Sequence, residues 1–152
     1  MARNYYCELY FHFVWRTKHR APLITQAIES ALWAAIKKKC IEYGAVPIEV
    51  GGIEDHIHLL VSTQPTLLLS DFIGKVKGAT SHYINHGLSP NGHFQWGEGY
   101  GVLSLAKKNV ESVQQYIRNQ RQHHQKSTIN ATLERSESDI AVEAVKSVLQ
   151  PS

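Results

Sequence analysis

The chain has little that would suit it to a membrane or to an oxidising compartment. Only two cysteines, Cys7 and Cys40, occur in 152 residues. With no secretory signal to accompany them, this usage points to a reduced, cytoplasmic protein with buried thiols rather than a disulfide framework. No run of eighteen apolar residues is present, so no membrane span is expected. The opening "MARNYYCELYF" lacks the long apolar stretch and cleavage site of a signal peptide. Repeats, long linkers and low-complexity tracts are missing as well. Charge of one sign is scarce: the net charge is +3 with a pI near 8.9. That is compatible with a polyanion partner but too mild to identify one.

What is present fits one globular domain. Apolar residues make up 43% and charged residues 19%, enough for a modest core. The compositional oddity is nine histidines, which directs attention to metal or phosphate chemistry.

Residues 5–16, "YYCELYFHFVWR", are nearly all strand formers and give a first strand. In "PLITQAIESALWAAIKKKCIEYG", Ile28, Leu32, Ala35, Ile36 and Cys40 recur at helical spacing. Late lysines (Lys37 to Lys39) suit the helix dipole, and Gly44 is a stop. "VPIEVGG" and "DHIHLLVS" read as two short strands joined by a tight Gly-containing turn. A second helix runs through "SDFIGKVKGATSHYINHG", capped by Ser70, striped by Phe72, Val76, Ala79 and Tyr83, and ended by Gly87. After a Gly-rich loop, "GVLSLAKK" is a fourth strand, and "NVESVQQYIRNQRQHHQK" a third helix with Asn109 as N-cap.

This order predicts an α+β fold: a ferredoxin-like βαββαβ antiparallel sheet with helices on one face, plus a C-terminal helix carrying Tyr116. The expected domain covers residues 1–126. Residues 127–152 are a polar tail in which Ile140, Val145, Val148 and Leu149 would make a short amphipathic helix.

Chemistry concentrates in "EDHIHLLV", residues 54–61. Strand side chains alternate, so Ile57, Leu59 and Val61 share one face while His56 and His58 share the other. Two imidazoles that close either hold a metal ion or are plain polar residues on a wet sheet. Tyr116 and Gln120 lie four residues apart, hence on one helical face, beside a docking stripe of Val110, Val113 and Ile117. A set of two nitrogens and two oxygens suits Mg²⁺ or Mn²⁺ bound with a substrate phosphate better than structural zinc. A phenol with a pKa near 10 needs help to act as a nucleophile.

"HIH" on a strand followed some sixty residues later by "YIRNQ" on a helix resembles the single-tyrosine HUH transposases of bacterial and archaeal insertion sequences, the IS200-like family, and their REP-associated relatives. "FHFVWRTKHRAPLI", "FQWGEGYGVLSL" and "YIRNQRQHH" extend the resemblance over residues 4–126. It implies that Tyr116 is the nucleophile, that His56, His58 and Gln120 are metal ligands, and that the substrate is single-stranded DNA with hairpins at element ends. It also implies a 5′-phosphotyrosine intermediate, strand rejoining without ATP, and a homodimer. Competing readings are a domesticated hairpin-binding protein and a metal-dependent phosphodiesterase.

Phosphate contacts dominate DNA affinity, so Lys75, Lys77, Lys107, Lys108, Arg118 and Arg121 are the expected DNA-binding cations. Trp96 and Tyr100 are either base-stacking platforms or core. Glu54 and Asp55 are either turn residues or carboxylates that orient an imidazole. His12, His82, His86, His93, His123 and His124 read as surface or structural residues.

Overall fold

The computed structural model describes residues 4–89 and 93–136. Eight main elements follow one another: β1 (Leu9–Arg16), α1 (Gln26–Glu42), β2 (Ala45–Ile53), β3 (His56–Thr63), α2 (Leu69–Tyr83), β4 (Gly101–Leu105), α3 (Val110–Arg118) and α4 (Gln120–Gln125). The four strands form one antiparallel sheet in the order β2-β3-β1-β4. This is the ferredoxin-like α+β arrangement that the element order predicts. No helix among the described residues is long and apolar enough to cross a membrane. Cys40 is buried and Cys7 half-buried, and both are free thiols.

Strand alternation divides the core in two. Phe13 and Trp15 of β1 meet Ile57, Leu59 and Val61 of β3 on one face, where α1 covers them with Ile28, Leu32, Ile36 and Cys40 and α2 adds Phe72, Ile73 and Val76. Leu60 faces the opposite way and packs with Val113 and Ile117 of α3 and with Leu133. β3 is therefore buried on both sides. The histidine face is not left open to solvent as expected, because α3, α4 and the segment after them lie over it.

Close approach of α3 depends on a glycine. A Cβ on Gly51 of β2 would stand 2.7 Å from the carbonyl oxygen of Ile117 and 2.9 Å from its Cγ2. Only a residue without a side chain lets the helix backbone sit this near the sheet. Gly51 and Gly52 belong to β2 itself, and the hairpin turn is Glu54–Asp55 instead of the Gly-containing turn expected.

Three further expectations are corrected. The third helix is broken at Asn119 (φ −100°, ψ 23°), where α3 ends and α4 begins. Asparagine competes locally with helical hydrogen bonding. Helix α2 starts at Leu69, which puts Ser70 inside it, and Leu68 holds the cap position. Asn109, the last residue of a 3-10 turn, holds the expected cap position of α3, but its side chain makes no cap bond. Ile140, Val145, Val148 and Leu149 lie outside the described residues.

Candidate metal and phosphate centre

β1 and β3 pair in a register that sets Arg16 opposite His56, Val14 opposite His58 and His12 opposite Leu60. All six side chains then share the α3 face. His12, His56 and His58 are buried there. The break at Asn119 turns Gln120 inward, and it too is buried. Its Oε1 lies 3.0 Å from His56 Nε2. The T-shaped contact of the Tyr116 and His58 rings, 5.9 Å between centroids, completes the meeting of the four residues singled out from the sequence.

Between them stands a group that sequence reasoning missed. The chain after α4 turns back over the sheet and delivers Glu134. Its Oε2 lies 3.0 Å from His58 Nε2 and 3.1 Å from His56 Nε2. The Tyr116 hydroxyl donates to the other oxygen, Oε1, at 2.6 Å. The backbone N–H of Asn130 donates to the same hydroxyl at 2.9 Å, so both roles of the phenol are engaged by this strap. Leu133 anchors the strap in the second core. Arg16 Nη2 donates to the Glu134 carbonyl at 3.2 Å. At Gly101 a Cβ would collide with the carbonyl oxygen of Arg135, 1.8 Å away, which makes this glycine part of the seat.

Each imidazole has its own backing. Asp55 Oδ1 is 2.7 Å from Nδ1 of His56, so of the two readings of this turn carboxylate the one that orients a ring has the geometry. His58 Nδ1 is 2.8 Å from Nε2 of His12 instead. The electrostatics follow. Burial alone would lower the pKa of His56, but the Asp55 and Glu134 carboxylates stabilise its cation and raise it to about 9. Burial dominates at His58, whose pKa is lowered, and at His12, lowered to about 3. Burial also pushes Tyr116 up to about 12, assisted by the adjacent Glu134 charge. At Glu134 burial opposes ionisation, yet the two imidazoles and the phenol hold the carboxyl well below the usual carboxylate range.

This donor set suits a divalent cation. Adjacent ligands of an octahedral ion with bonds of 2.0–2.1 Å are separated by √2 times that length, about 3 Å. His56 Nε2 to Gln120 Oε1, His56 Nε2 to Glu134 Oε2 and His58 Nε2 to Glu134 Oε2 all match that spacing, at 3.0, 3.1 and 3.0 Å. His124 extends the group: its Nε2 is 3.4 Å from Glu134 Oε1, within ion-pair distance but without hydrogen-bond geometry. His56, His124 and Glu134 thus bring ligand atoms close enough together to hold one metal ion.

The remaining predicted residues lie outside this cluster. Lys75 pairs with Asp71, Lys107 with Glu8, and Arg118 with Glu49. Arg121 bridges Glu29 and Glu54. Lys77 donates to the carbonyls of Gly97 and Gly99 and so braces the loop before β4. Lys108 is exposed. Trp96 packs edge-on against Trp15 and Phe94, and its indole donates to Thr80. Tyr100 also packs on the main core. His123 stacks on Tyr116 with centroids 4.5 Å apart.

Comparison with known proteins agrees with the motifs. A family model described as "Transposase IS200 like" matches residues 5–120. The ISDra2 transposase TnpA of Deinococcus radiodurans is 25% identical over 124 residues, covering 78% of this chain and 89% of its own length. The transposase for insertion sequence element IS200 of Salmonella typhimurium is 28% identical over 116 residues, 72% of this chain and 75% of its own. A transposase crystal structure from Deinococcus radiodurans superposes with a TM-score of 0.62 at 26% identity, covering 79% of this chain and 96% of that one. A REP-associated tyrosine transposase bound to a REP hairpin superposes with a TM-score of 0.59 at 14% identity over 99% and 88% of the two chains, a likeness of fold alone.

Proposed function

Because the chain belongs to the IS200-like transposase family, we propose that it cuts and rejoins single-stranded DNA at hairpin-marked element ends, with Tyr116 as nucleophile. The observation that carries this reading is the convergence of Tyr116, His56 and His58 on one carboxylate, with Gln120 seated on His56, within a single chain. A carboxylate bound by both imidazoles and the phenol marks a position where anionic oxygens are favoured. A phosphodiester placed there meets the same donors. Transfer to the phenol oxygen forms a 5′-phosphotyrosine and releases a 3′-hydroxyl. Reversal of that exchange rejoins strands with no ATP, since the ester bond is conserved.

His56, His58 and Gln120 would hold Mg²⁺ or Mn²⁺ once the Glu134 carboxylate, now 3.0–3.1 Å from both imidazoles, gives way to the phosphate. When bound, the ion polarises the phosphodiester and stabilises the charge that develops in the displacement. Around it, Asp55 and His12 hold the two imidazole rings, and Asn119 sets the angle at which Gln120 enters. Glu134 and Asn130 occupy both hydrogen-bonding roles of Tyr116, so phosphate entry requires residues 130–136 to withdraw. Lys75 and Lys107, paired with part-exposed carboxylates, the exposed Lys108, and Lys77, Arg118 and Arg121, which brace neighbouring groups, are the cations proposed to track the DNA backbone. A homodimer is part of the same reading.

The test mixes purified protein, Mg²⁺ or Mn²⁺, and a labelled single-stranded hairpin, and looks for an adduct that survives denaturation. Wild type is expected to form it, while Tyr116→Phe forms none and still binds the hairpin. An adduct persisting in that variant would remove Tyr116 from the reaction. Mixing Tyr116→Phe with His56→Ala protein is expected to restore nothing if Tyr116 serves the His56 of its own chain, with which it shares Glu134. Recovered cutting would show that the dimer exchanges its tyrosine helices.

A further inference from the structure

His12 lies in one of the stretches that carry the family resemblance, which gives it no role, yet the sheet register gives it a specific position. Its ring is fully buried in the middle of β1, its Nε2 lies 2.8 Å from His58 Nδ1, and the two rings stack with centroids 5.0 Å apart and planes 25° apart. Its other nitrogen, Nδ1, is buried with no hydrogen-bond partner among the described residues. An imidazole in such a place costs free energy that a leucine or phenylalanine would not, since one polar atom goes unsatisfied. Packing therefore does not account for it, and its one hydrogen bond does.

We propose that His12 is the positioning residue of His58, fixing the ring and the tautomer in which Nε2 offers its lone pair to a divalent cation. The proposal rests on the cation site put forward above. For Nε2 to act as a ligand, the ring proton must sit on Nδ1 and point at His12 Nε2, which accepts it. A cation drawing electron density from His58 makes that N–H a stronger donor. The bond thus strengthens when the ion binds and contributes to affinity, not only to folding. The two ligand imidazoles are backed differently. His56 leans on the Asp55 carboxylate and His58 on a neutral ring. Neutral backing fixes the orientation of His58 without adding a further negative charge to a core that already holds Glu134.

The experiment measures Mn²⁺ binding by the electron paramagnetic resonance of the free ion, thermal unfolding by circular dichroism, and the nitrogen shifts of His58 in Mg²⁺-loaded protein. Three proteins are compared: wild type, His12→Leu and His12→Gln. Mn²⁺ binding to His12→Leu is expected to weaken by about 10–100-fold, the usual loss when such a partner is removed. Its melting temperature should stay close to that of wild type, because the unpaired Nδ1 of His12 goes while His58 Nδ1 loses its partner. His12→Gln, which can still accept from Nδ1, should recover much of the affinity. In the loaded wild type, His58 should carry its proton on Nδ1. Affinity of His12→Leu within threefold of wild type would overturn the proposal, and so would a loaded His58 protonated on Nε2, a result that needs no variant to fold. Failure of wild type to bind Mn²⁺ at all would instead refute the cation site itself.

Discussion

Raising the pH of the cation-free protein from 6.5 to 9.5 should cost it about 3 kcal/mol of stability through His56 alone. The pKa of this imidazole is raised from 6.5 to about 9 by its two carboxylate partners, against the effect of burial. A base whose folded pKa is raised stabilises the fold fully below its unfolded value, and that contribution is lost as pH climbs through the folded one. The span from 6.5 to about 9, at 1.36 kcal/mol for each tenfold step, gives about 3 kcal/mol. His56 is only 5% exposed, so solvent screening removes little of this. For a chain of this size, 1 kcal/mol moves the melting temperature by roughly 2–4 °C, so a fall of about 10 °C is expected. The acid limb has the opposite origin. His12, lowered to about 3 by burial, and His58, lowered for the same reason, stay neutral in the fold while the unfolded chain takes up protons below 6.5. Glu134 and Asp55, both depressed, add to the loss as pH falls toward their own range. Stability should therefore peak between about pH 6.5 and 7. Melting curves at constant ionic strength, for wild type and His56→Gln, check this. A flat alkaline limb in wild type, or an undiminished one in His56→Gln, would refute the assignment.

A cation ligated by His56 Nε2 must displace the proton that this imidazole, with its pKa raised to about 9 by its carboxylate partners against burial, retains at neutral pH, so Mn²⁺ affinity should rise nearly tenfold from pH 7 to pH 8 and level off above 9; calorimetry in two buffers of different ionisation heat would also count the released proton. Glu134→Gln removes the charge beside Tyr116, so tyrosinate absorbance, taken as a difference against Tyr116→Phe, should show the phenol titrating below about 12. An unchanged midpoint would place the cause in burial alone. In Gly51→Ala the new Cβ presses on the Ile117 carbonyl, 2.7 Å away, which should destabilise the fold by about 1–3 kcal/mol. Because this lifts the helix bearing Tyr116 and leading to Gln120, Mn²⁺ affinity should fall in protein that remains folded; wild-type affinity would show that the helix position is not what forms the site.

Much of the site was legible because short-range periodicities wrote it into the chain. The two-residue repeat of β3 places His56 and His58 on the same face, and the βαββαβ order of elements leads to the sheet. The four-residue spacing of Tyr116 and Gln120 puts both on one side, although the break at Asn119 means that they reach it from two helices. The resemblance carried by "HIH" and "YIRNQ" also points to the family whose model matches residues 5–120. Folding in three dimensions decided the rest. His12 became a partner of His58 only through the β1–β3 register, which no pattern within β1 specifies. Glu134 lies 76 residues from His58, in a polar stretch with no periodicity to mark it, and its place depends on Leu133 finding the second core. Local sequence fixes which way a side chain points from its own backbone, whereas long-range packing alone selects what it meets there.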